Sequence, residues 1–161
     1  MPHLDELLNG LESSLVLTFF ATFARLEFAM KYAGYLKRVE NAPVAEASTT
    51  TLARRLGPAF FEKLRVNDDA KMLIEDPPKN LFVQADRSLR FGPAASPLNS
   101  TQELLNAVWR VRNNLFHGNK TNPGDRERDT ALITAALAVI QAVLESDSAL
   151  AAAFDEPQQF F

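Results

Sequence analysis

Apolar residues recur at steps of three and four along much of this chain, and this spacing constrains the fold more than any other feature of the sequence. Such steps return side chains to one face of an α-helix, whereas a half-buried strand needs strict alternation. The chain is therefore predicted to be all-α, an antiparallel helical bundle that begins with a long amphipathic helix. The apolar face of that first helix comprises Leu15, Phe19, Phe23, Leu26, Met30 and Ala33.

The second helical pattern is interrupted in its middle. Apolar residues at helical spacing run from Thr49 to Val66, but Gly57 and Pro58 stand between them. Because proline has no amide donor and clashes with the preceding turn, it ends a helix or begins a new one. Two helical pieces are therefore predicted in place of one.

Two further helices are predicted in the second half of the chain. Ser100 and Glu103 have the spacing of a capping box, in which each side chain can bond an exposed backbone amide, and Gly118 suits a left-handed helix end. A last helix is predicted from Asp125 to Glu145, and an alanine-rich segment from Ser148 to Phe154 extends it after a break. The residues of the last helix that are predicted to face inward are Leu132, Ala136, Val139, Ile140 and Val143.

A proline-rich insertion, about residues 76–99, separates the second helix from the third. Helical periodicity fails there, and four prolines accumulate. Two short apolar segments, residues 81–83 and 89–91, can pair across a turn at Asp86, so a small hairpin is predicted. The insertion is interpreted either as a plain surface segment or as a lid over a site.

Composition narrows the class of protein. The chain has 161 residues, 47% of them hydrophobic, which is enough to bury a core in a single domain spanning residues 1–161. It contains no cysteine, which excludes disulfides and thiol catalysis, and its two histidines, His3 and His117, leave no His/Cys cluster for zinc. The composition does not exclude a site for a hard metal ion made of carboxylates alone. No cofactor and no metal is predicted.

The charge of the chain and its two terminal segments indicate what it can contact and where it acts. The net charge of −3 provides no global positive field, so any contact with nucleic acid must be local. The apolar stretch from Leu15 to Ala24 is preceded by Asp5, Glu6 and Glu12, where an export signal carries positive charge. A cytoplasmic protein with no membrane segment is predicted. The short tail, about residues 155–161, ends in two phenylalanines and is either loose or docked on a partner.

The chemical signal of the sequence is concentrated in the third helix. Arg112 falls inside the apolar arc of this helix, where a guanidinium needs a carboxylate, a wet interface with a second subunit, or an anionic ligand. His117 lies about 140° further round an uninterrupted helix, so a helix end at Gly118 is needed to bring its imidazole back toward Arg112. Asn113 lies on the His117 side and can orient an imidazole or a phosphate. The arc itself comprises Leu104, Leu105, Val108, Val111, Leu115 and Phe116.

The segment from Arg112 to His117 resembles the signature of HEPN domains, which is an arginine, a polar residue, a short stretch and a histidine at the end of the third helix of a bundle. Many HEPN domains also carry a first-helix glutamate followed four residues later by a basic residue, and Glu27 and Lys31 match that spacing. The resemblance covers residues 13–145 apart from the insertion. Asn119 stands where many members have a tyrosine.

This resemblance implies a dimeric all-α bundle acting as a metal-independent endoribonuclease in a toxin, defence or RNA-processing system. RNA would be cleaved by attack of a ribose 2′-OH on the adjacent phosphate, leaving a 2′,3′-cyclic phosphate and a free 5′-OH. His117 would transfer protons and Arg112 would hold the phosphate, with Asn113 orienting one of them. Glu27 would fix Arg112. The partners implied are RNA, a second copy and a cognate antitoxin of nucleotidyltransferase type, and the remaining RNA-binding residues would be Lys31, Asn119 and Lys120.

Plainer interpretations stay open for the same residues. Glu27 with Lys31 is an ordinary helical ion-pair spacing, and Arg112 fits a structural salt bridge. Trp109 and Phe116 favour a core or dimer-interface role over stacking on bases. The acidic residues at 68, 69, 75 and 76 favour a solvated turn over a metal site. For the whole protein, the alternatives are a non-catalytic HEPN-like module that binds nucleotide, RNA or protein, and an antitoxin or adaptor that docks through its tail.

Overall fold

The computed structural model describes residues 3–37, 44–116 and 125–156, except the side chains of residues 4, 5 and 116. Two thirds of this part is helical, which confirms the all-α prediction at the level of secondary structure. The helices are α1 Leu4–Leu7, α2 Ser13–Tyr32, α3 Thr49–Leu56, α4 Pro58–Arg65, α5 Asp68–Glu75, α6 Thr101–Phe116, α7 Arg126–Ser146 and α8 Ser148–Asp155, and the strands are β1 Leu81–Val83 and β2 Leu89–Phe91.

Helix α7 lies at the centre of the packing, against α2, α5, α6 and α8. Its small and branched residues let these neighbours approach closely, and all five residues predicted to face inward are buried. The predicted break after α7 is also confirmed, because Asp147 ends that helix and caps α8 by accepting a hydrogen bond from the Leu150 amide at 3.0 Å.

The predicted division of the second helix is confirmed, and its cause is local. Gly57 lies between α3 and α4 with φ +71° and ψ 179°, a conformation that only glycine adopts easily, and Pro58 opens α4. The carbonyl of Gly57 accepts a hydrogen bond from the Thr101 hydroxyl at 2.7 Å, which ties this junction to the start of α6. Both α3 and α4 therefore pack against α6.

The prediction of a solvated acidic turn is wrong for residues 68–75, which form helix α5. Asp68 and Asp69 lie in its first turn, where the exposed amides favour negative charge, and Asn67 caps it by accepting from the Asp69 amide at 2.8 Å. Burial of Ala70, Leu73 and Ile74 against neighbouring helices stabilises this short element.

The predicted hairpin in the insertion is confirmed. Strands β1 and β2 are antiparallel, with residue 81 opposite 91 and residue 83 opposite 89. Asp86 closes the turn by accepting a hydrogen bond from the Ser88 amide at 2.9 Å. The insertion begins at a clamp in which Arg128 of α7 bonds the carboxylate of Asp76 at 2.8 and 3.0 Å, and also its carbonyl and that of Pro77.

Helix α2 has two different faces. One is buried in the core and consists of Phe19, Phe23, Leu26, Ala29 and Met30. The other exposes a row of apolar side chains, Leu17, Ala21, Ala24, Phe28 and Tyr32. By length and hydropathy alone, both α2 and α7 are long enough to cross a membrane, a property they share with core helices.

Candidate functional site

The candidate site lies along the polar face of α6. The start of this helix follows the predicted capping box with one difference. The Glu103 amide donates to the Ser100 hydroxyl at 3.2 Å, but the Glu103 carboxylate accepts from the amide of Asn99, one residue earlier than expected, at 2.9 Å. The buried face of the helix comprises Leu104, Leu105, Ala107, Val108 and Val111. Its opposite face, at steps of three and four, carries polar side chains.

A groove of about 540 Å³ runs beside this polar face. A short antiparallel bridge between residues 36 and 47 lies next to Lys37 and Thr49, which line the groove, and the segment leading into β1 contributes Asn80. Helix α6 contributes the remaining polar and aromatic lining residues, Asn106, Trp109, Arg110, Asn113 and Asn114. The described lining contains two cations, four asparagines and no carboxylate, and one of the cations, Lys37, forms an ion pair of 2.8 Å with Glu46.

Arg112 lies at the seam between α6 and α2, as its place in the apolar arc predicted. It is half-buried, and its guanidinium carbon lies 5.4 Å from the centre of the Phe23 ring, within range of a cation–π contact. It also donates to the side-chain oxygen of Asn113 at 3.0 Å. Asn113 lines the groove, so this bond links the guanidinium to the groove.

Trp109 packs against the core, as the sequence favoured, and also lines the groove. Its indole meets the ring of Phe23 edge to face, with 4.7 Å between ring centres, and it packs against the core. It is only half-buried, and it lines the groove as well. Because Phe23 contacts both Trp109 and Arg112, one core ring positions the aromatic and the cationic group of this region.

Arg110 is a half-buried cation with no carboxylate within ion-pair distance in the part of the chain that the structure describes. It donates to the carbonyl of Pro78 at 3.1 Å. Burial lowers the pKa of its guanidinium from the ordinary value, and the charge of Glu103 offsets this only in part. Because a desolvated guanidinium is costly without a negative partner, this part of the groove favours an anion.

The asparagines of the groove are held in different ways. The side-chain oxygen of Asn106 accepts from Thr49 at 2.8 Å and from Gln102 at 3.0 Å. The side-chain nitrogen of Asn114 donates to the carbonyl of Lys79 at 3.0 Å. The amide of Asn80 makes no side-chain hydrogen bond within the described residues. The groove thus presents amide donors and acceptors in set orientations.

Glu27 and Lys31 lie on α2 and form an ion pair of 3.3 Å with about one third of each side chain exposed. Glu27 follows Phe23 by one helical turn, so it lies on the helix that carries the ring beneath Arg112. The bond expected between Glu27 and Arg112 stays a prediction. The contact present between Glu27 and Lys31 is the ordinary helical ion pair of the plainer interpretation.

Of the other predicted site residues, His117, Asn119 and Lys120 lie outside the described residues, as do Gly118 and the phenylalanines of the tail. The structure therefore brings together Arg112 and Asn113 and adds a groove beside them.

The sequence analysis missed four residues that line the groove, Lys37, Asn80, Asn106 and Arg110. The period of α6 could have revealed Asn106 and Arg110, which lie seven and three residues before Asn113, but Lys37 and Asn80 are brought there by tertiary packing.

No group of three or more acidic or histidine side chains suited to a metal ion occurs among the described residues. The groove can donate and accept hydrogen bonds, offer an aromatic ring and neutralise negative charge.

Compared with known proteins, the chain matches no family model, no curated protein and no solved structure.

Proposed function

We propose that this protein is a metal-independent endoribonuclease of HEPN type that holds RNA along the polar face of α6. The observation that supports this most directly is the hydrogen bond from Arg112 to Asn113, because Asn113 also lines the groove. A phosphate held at Arg112 would thus have the neighbouring nucleotide beside a groove that contains cations and amides. The lack of carboxylates among the described lining residues suits an anionic polymer, although the chain as a whole carries a charge of −3.

The proposed reaction needs a base, an acid and charge stabilisation. The ribose 2′-OH loses its proton and attacks the adjacent phosphorus, the bond to the 5′-oxygen breaks, and that oxygen takes up a proton. The products are a 2′,3′-cyclic phosphate and a free 5′-OH. His117 is the proposed proton-transfer group, because an imidazole ordinarily titrates near neutral pH. Arg112 binds the phosphate through paired N–H donors and stabilises the added charge, while Asn113 positions its guanidinium.

The proposal includes partners and a cellular setting. RNA is the substrate, a second copy of the chain completes a dimer, and the protein acts in the cytoplasm as a toxin, defence or RNA-processing component. A nucleotidyltransferase-like antitoxin is the proposed cognate partner. Lys31, Asn119 and Lys120 are proposed contacts for neighbouring phosphates or bases.

Cleavage of a mixed RNA pool in the presence of EDTA tests this function. We expect the wild type to leave cyclic-phosphate ends, and Arg112→Ala or His117→Ala to reduce the rate by about 100-fold or more. Asn113→Ala should cost about tenfold to 100-fold, because it removes a hydrogen bond to the charged Arg112. The matched control is Arg54→Ala, an exposed arginine on α3 outside the groove, which should cleave like the wild type. Absence of cutting by the wild type, or equal cutting by every variant, would contradict the proposal.

The second candidate is a non-catalytic RNA-binding module. It is favoured by the groove's described lining, which offers donors, acceptors and two cations but no side chain that titrates near neutral pH. In that case His117→Ala would bind RNA like the wild type, whereas Arg110→Ala would bind more weakly. Binding measured together with cleavage on the same variants separates the two functions.

A further inference from the structure

The groove contains more recognition chemistry than phosphate cleavage requires. Cleavage uses a proton-transfer group and a cation at the phosphate, whereas Asn80, Asn106 and Trp109 serve neither purpose. We infer that the groove is a recognition subsite for a single unstacked nucleobase of single-stranded RNA. This rests on the proposed function for the identity of the ligand as RNA, but not on the occurrence of cleavage.

The size of the groove suits one base better than a duplex. Its volume, about 540 Å³, lies within the roughly 300–1,000 Å³ that is typical of small-ligand sites. Double-stranded RNA is recognised across a wide minor groove by surfaces that span many base pairs, whereas sequence-specific RNA recognition uses bases that are splayed out of the stack. A cavity of this size admits such a base with its sugar and phosphate.

The amides provide a pattern that can distinguish bases. The side-chain oxygens of Asn106 and Asn113 accept hydrogen bonds within the protein, whereas their NH₂ groups make none within the described residues and remain as donors. Asn114 donates one N–H to the carbonyl of Lys79, which leaves its oxygen as an acceptor and its second N–H as a donor. Because these internal bonds set the orientation of each amide, donors and acceptors have fixed places. Base edges differ in that same pattern, so one base should fit better than the others.

Trp109 and Arg110 indicate a nucleotide more than a peptide. The contact of Trp109 with Phe23 holds the indole at the groove, where it can contact the face or edge of a base. Arg110 is half-buried with only a carbonyl partner among the described residues, and a phosphate would supply the missing negative charge. A neutral peptide could bond the amides but would leave that charge uncompensated.

Trp109 makes the inference directly measurable, because it is the only tryptophan in the chain. Its fluorescence can be followed while the full-length protein is titrated, in EDTA, with four 2′-fluoro homotetramers, of A, C, G and U. The 2′-fluoro group removes the attacking hydroxyl, so binding is observed without cleavage. We expect saturable quenching and at least about tenfold tighter binding of one tetramer than of the weakest.

Asn80→Ala tests the role of the amides. Its side chain makes no hydrogen bond within the described residues, so the fold should be unchanged while discrimination among the tetramers falls at least about threefold. Asn99→Ala is the matched control, because Asn99 is exposed, outside the groove, and bonds Glu103 only through its backbone. It should keep the wild-type preference.

These experiments test the base-binding subsite independently of the proposed RNA cleavage. No quenching, equal affinity for all four tetramers with no effect of Asn80→Ala, or equal binding of a hexaglutamate peptide would overturn the subsite even if RNA is cut. Base-selective binding that Asn80→Ala weakens, in a protein that cuts no RNA, would support the subsite and contradict the proposed cleavage.

Discussion

The guanidinium groups of Arg110, Arg112 and Arg128 have different surroundings. Arg128 bonds both carboxylate oxygens of Asp76 and two carbonyls, through its Nε and one terminal nitrogen. Arg110 has one carbonyl among the described residues, and Arg112 lies over the ring of Phe23. The first is therefore a structural clamp on the start of the insertion, whereas the other two lie where a ligand could be bound.

The clamp should make stability depend on pH. Hydrogen bonding by Arg128, more than its charge alone, lowers the pKa of Asp76, despite the opposing effect of partial burial. Since this pKa is lower in the folded state than the ordinary value near about 3.9, the stabilisation is complete above that value. It is lost as the pH falls through the lowered folded pKa.

Arg128→Ala should therefore lower the free energy of unfolding by about 1 kcal/mol between roughly pH 5 and 8, a modest value because nearly half of the Asp76 side chain is exposed. The difference from the wild type should shrink at lower pH. Urea unfolding across this pH range measures it. Lys71→Ala removes an exposed ion pair of 4.0 Å and should change stability by less than about 0.5 kcal/mol throughout. A difference that stays constant down to pH 2 would refute this role of the clamp.

At the scale of elements, the short helix α8 is fixed at both ends by other parts of the chain. At its start, the buried carboxylate of Asp147 caps the helix and accepts from the hydroxyl of Tyr35. At its end, Arg25 of α2 donates to the carbonyls of Phe154 and Glu156 at 2.6 and 2.7 Å. Burial alone would raise the pKa of Asp147, but its hydrogen bonds and the charge of Arg55 bring it below the ordinary value.

Asp147→Ala should destabilise the protein by about 2 kcal/mol, because it removes a helix cap and leaves the Tyr35 hydroxyl without its acceptor. This corresponds to a fall of about 4 to 8 °C in Tm, measured by calorimetry. Asp147→Asn keeps an acceptor for the Leu150 amide and should cost less than half as much. Asp155→Ala, at the exposed end of the same helix, is the control and should leave Tm within about 1 °C. Equal losses for alanine and asparagine at position 147 would show that capping is not the cause.

The exposed apolar row of α2 bears on whether the protein forms a dimer. Leu17 is 67% exposed, Phe28 43% and Tyr32 74%, and the last two rings are stacked at 6.3 Å between centres. Contiguous exposed apolar surface commonly marks an interface. The proposed dimer would bury this row against the same row of a second copy, as two-fold symmetry requires of a shared patch.

Phe28→Glu should convert the dimer to a monomer that keeps its helical content, because a charge would be placed in the apolar interface but not in the core. Light scattering coupled to size-exclusion chromatography should give twice the chain's mass for the wild type and the single mass for the variant. Val66→Glu, at an 81% exposed position between α4 and α5, should remain dimeric. A monomeric wild type at about 100 μM, well above the Kd of an ordinary stable dimer, would contradict the dimer.

The groove and the partners of the charged groups could not be predicted from the sequence, because they depend on tertiary packing. Lys37 and Asn80 meet α6 from distant parts of the chain, and no periodic pattern relates their positions. The clamp on Asp76 comes from residue 128, far along the sequence. Helix α5 was missed because its polar run resembled a turn, and burial against neighbouring helices outweighed that local preference.

Most helices, the main breaks and the hairpin could be predicted from the sequence, because these depend on local physics. Apolar spacing predicted the buried faces, Gly57 and Pro58 predicted the break between α3 and α4, and the apolar segments on either side of Asp86 predicted the paired strands. The sequence pattern also predicted that Arg112 lies at an apolar seam. Only the fold could supply the Phe23 ring beneath it and the groove beside it, because side chains far apart in the chain meet through packing and not through spacing.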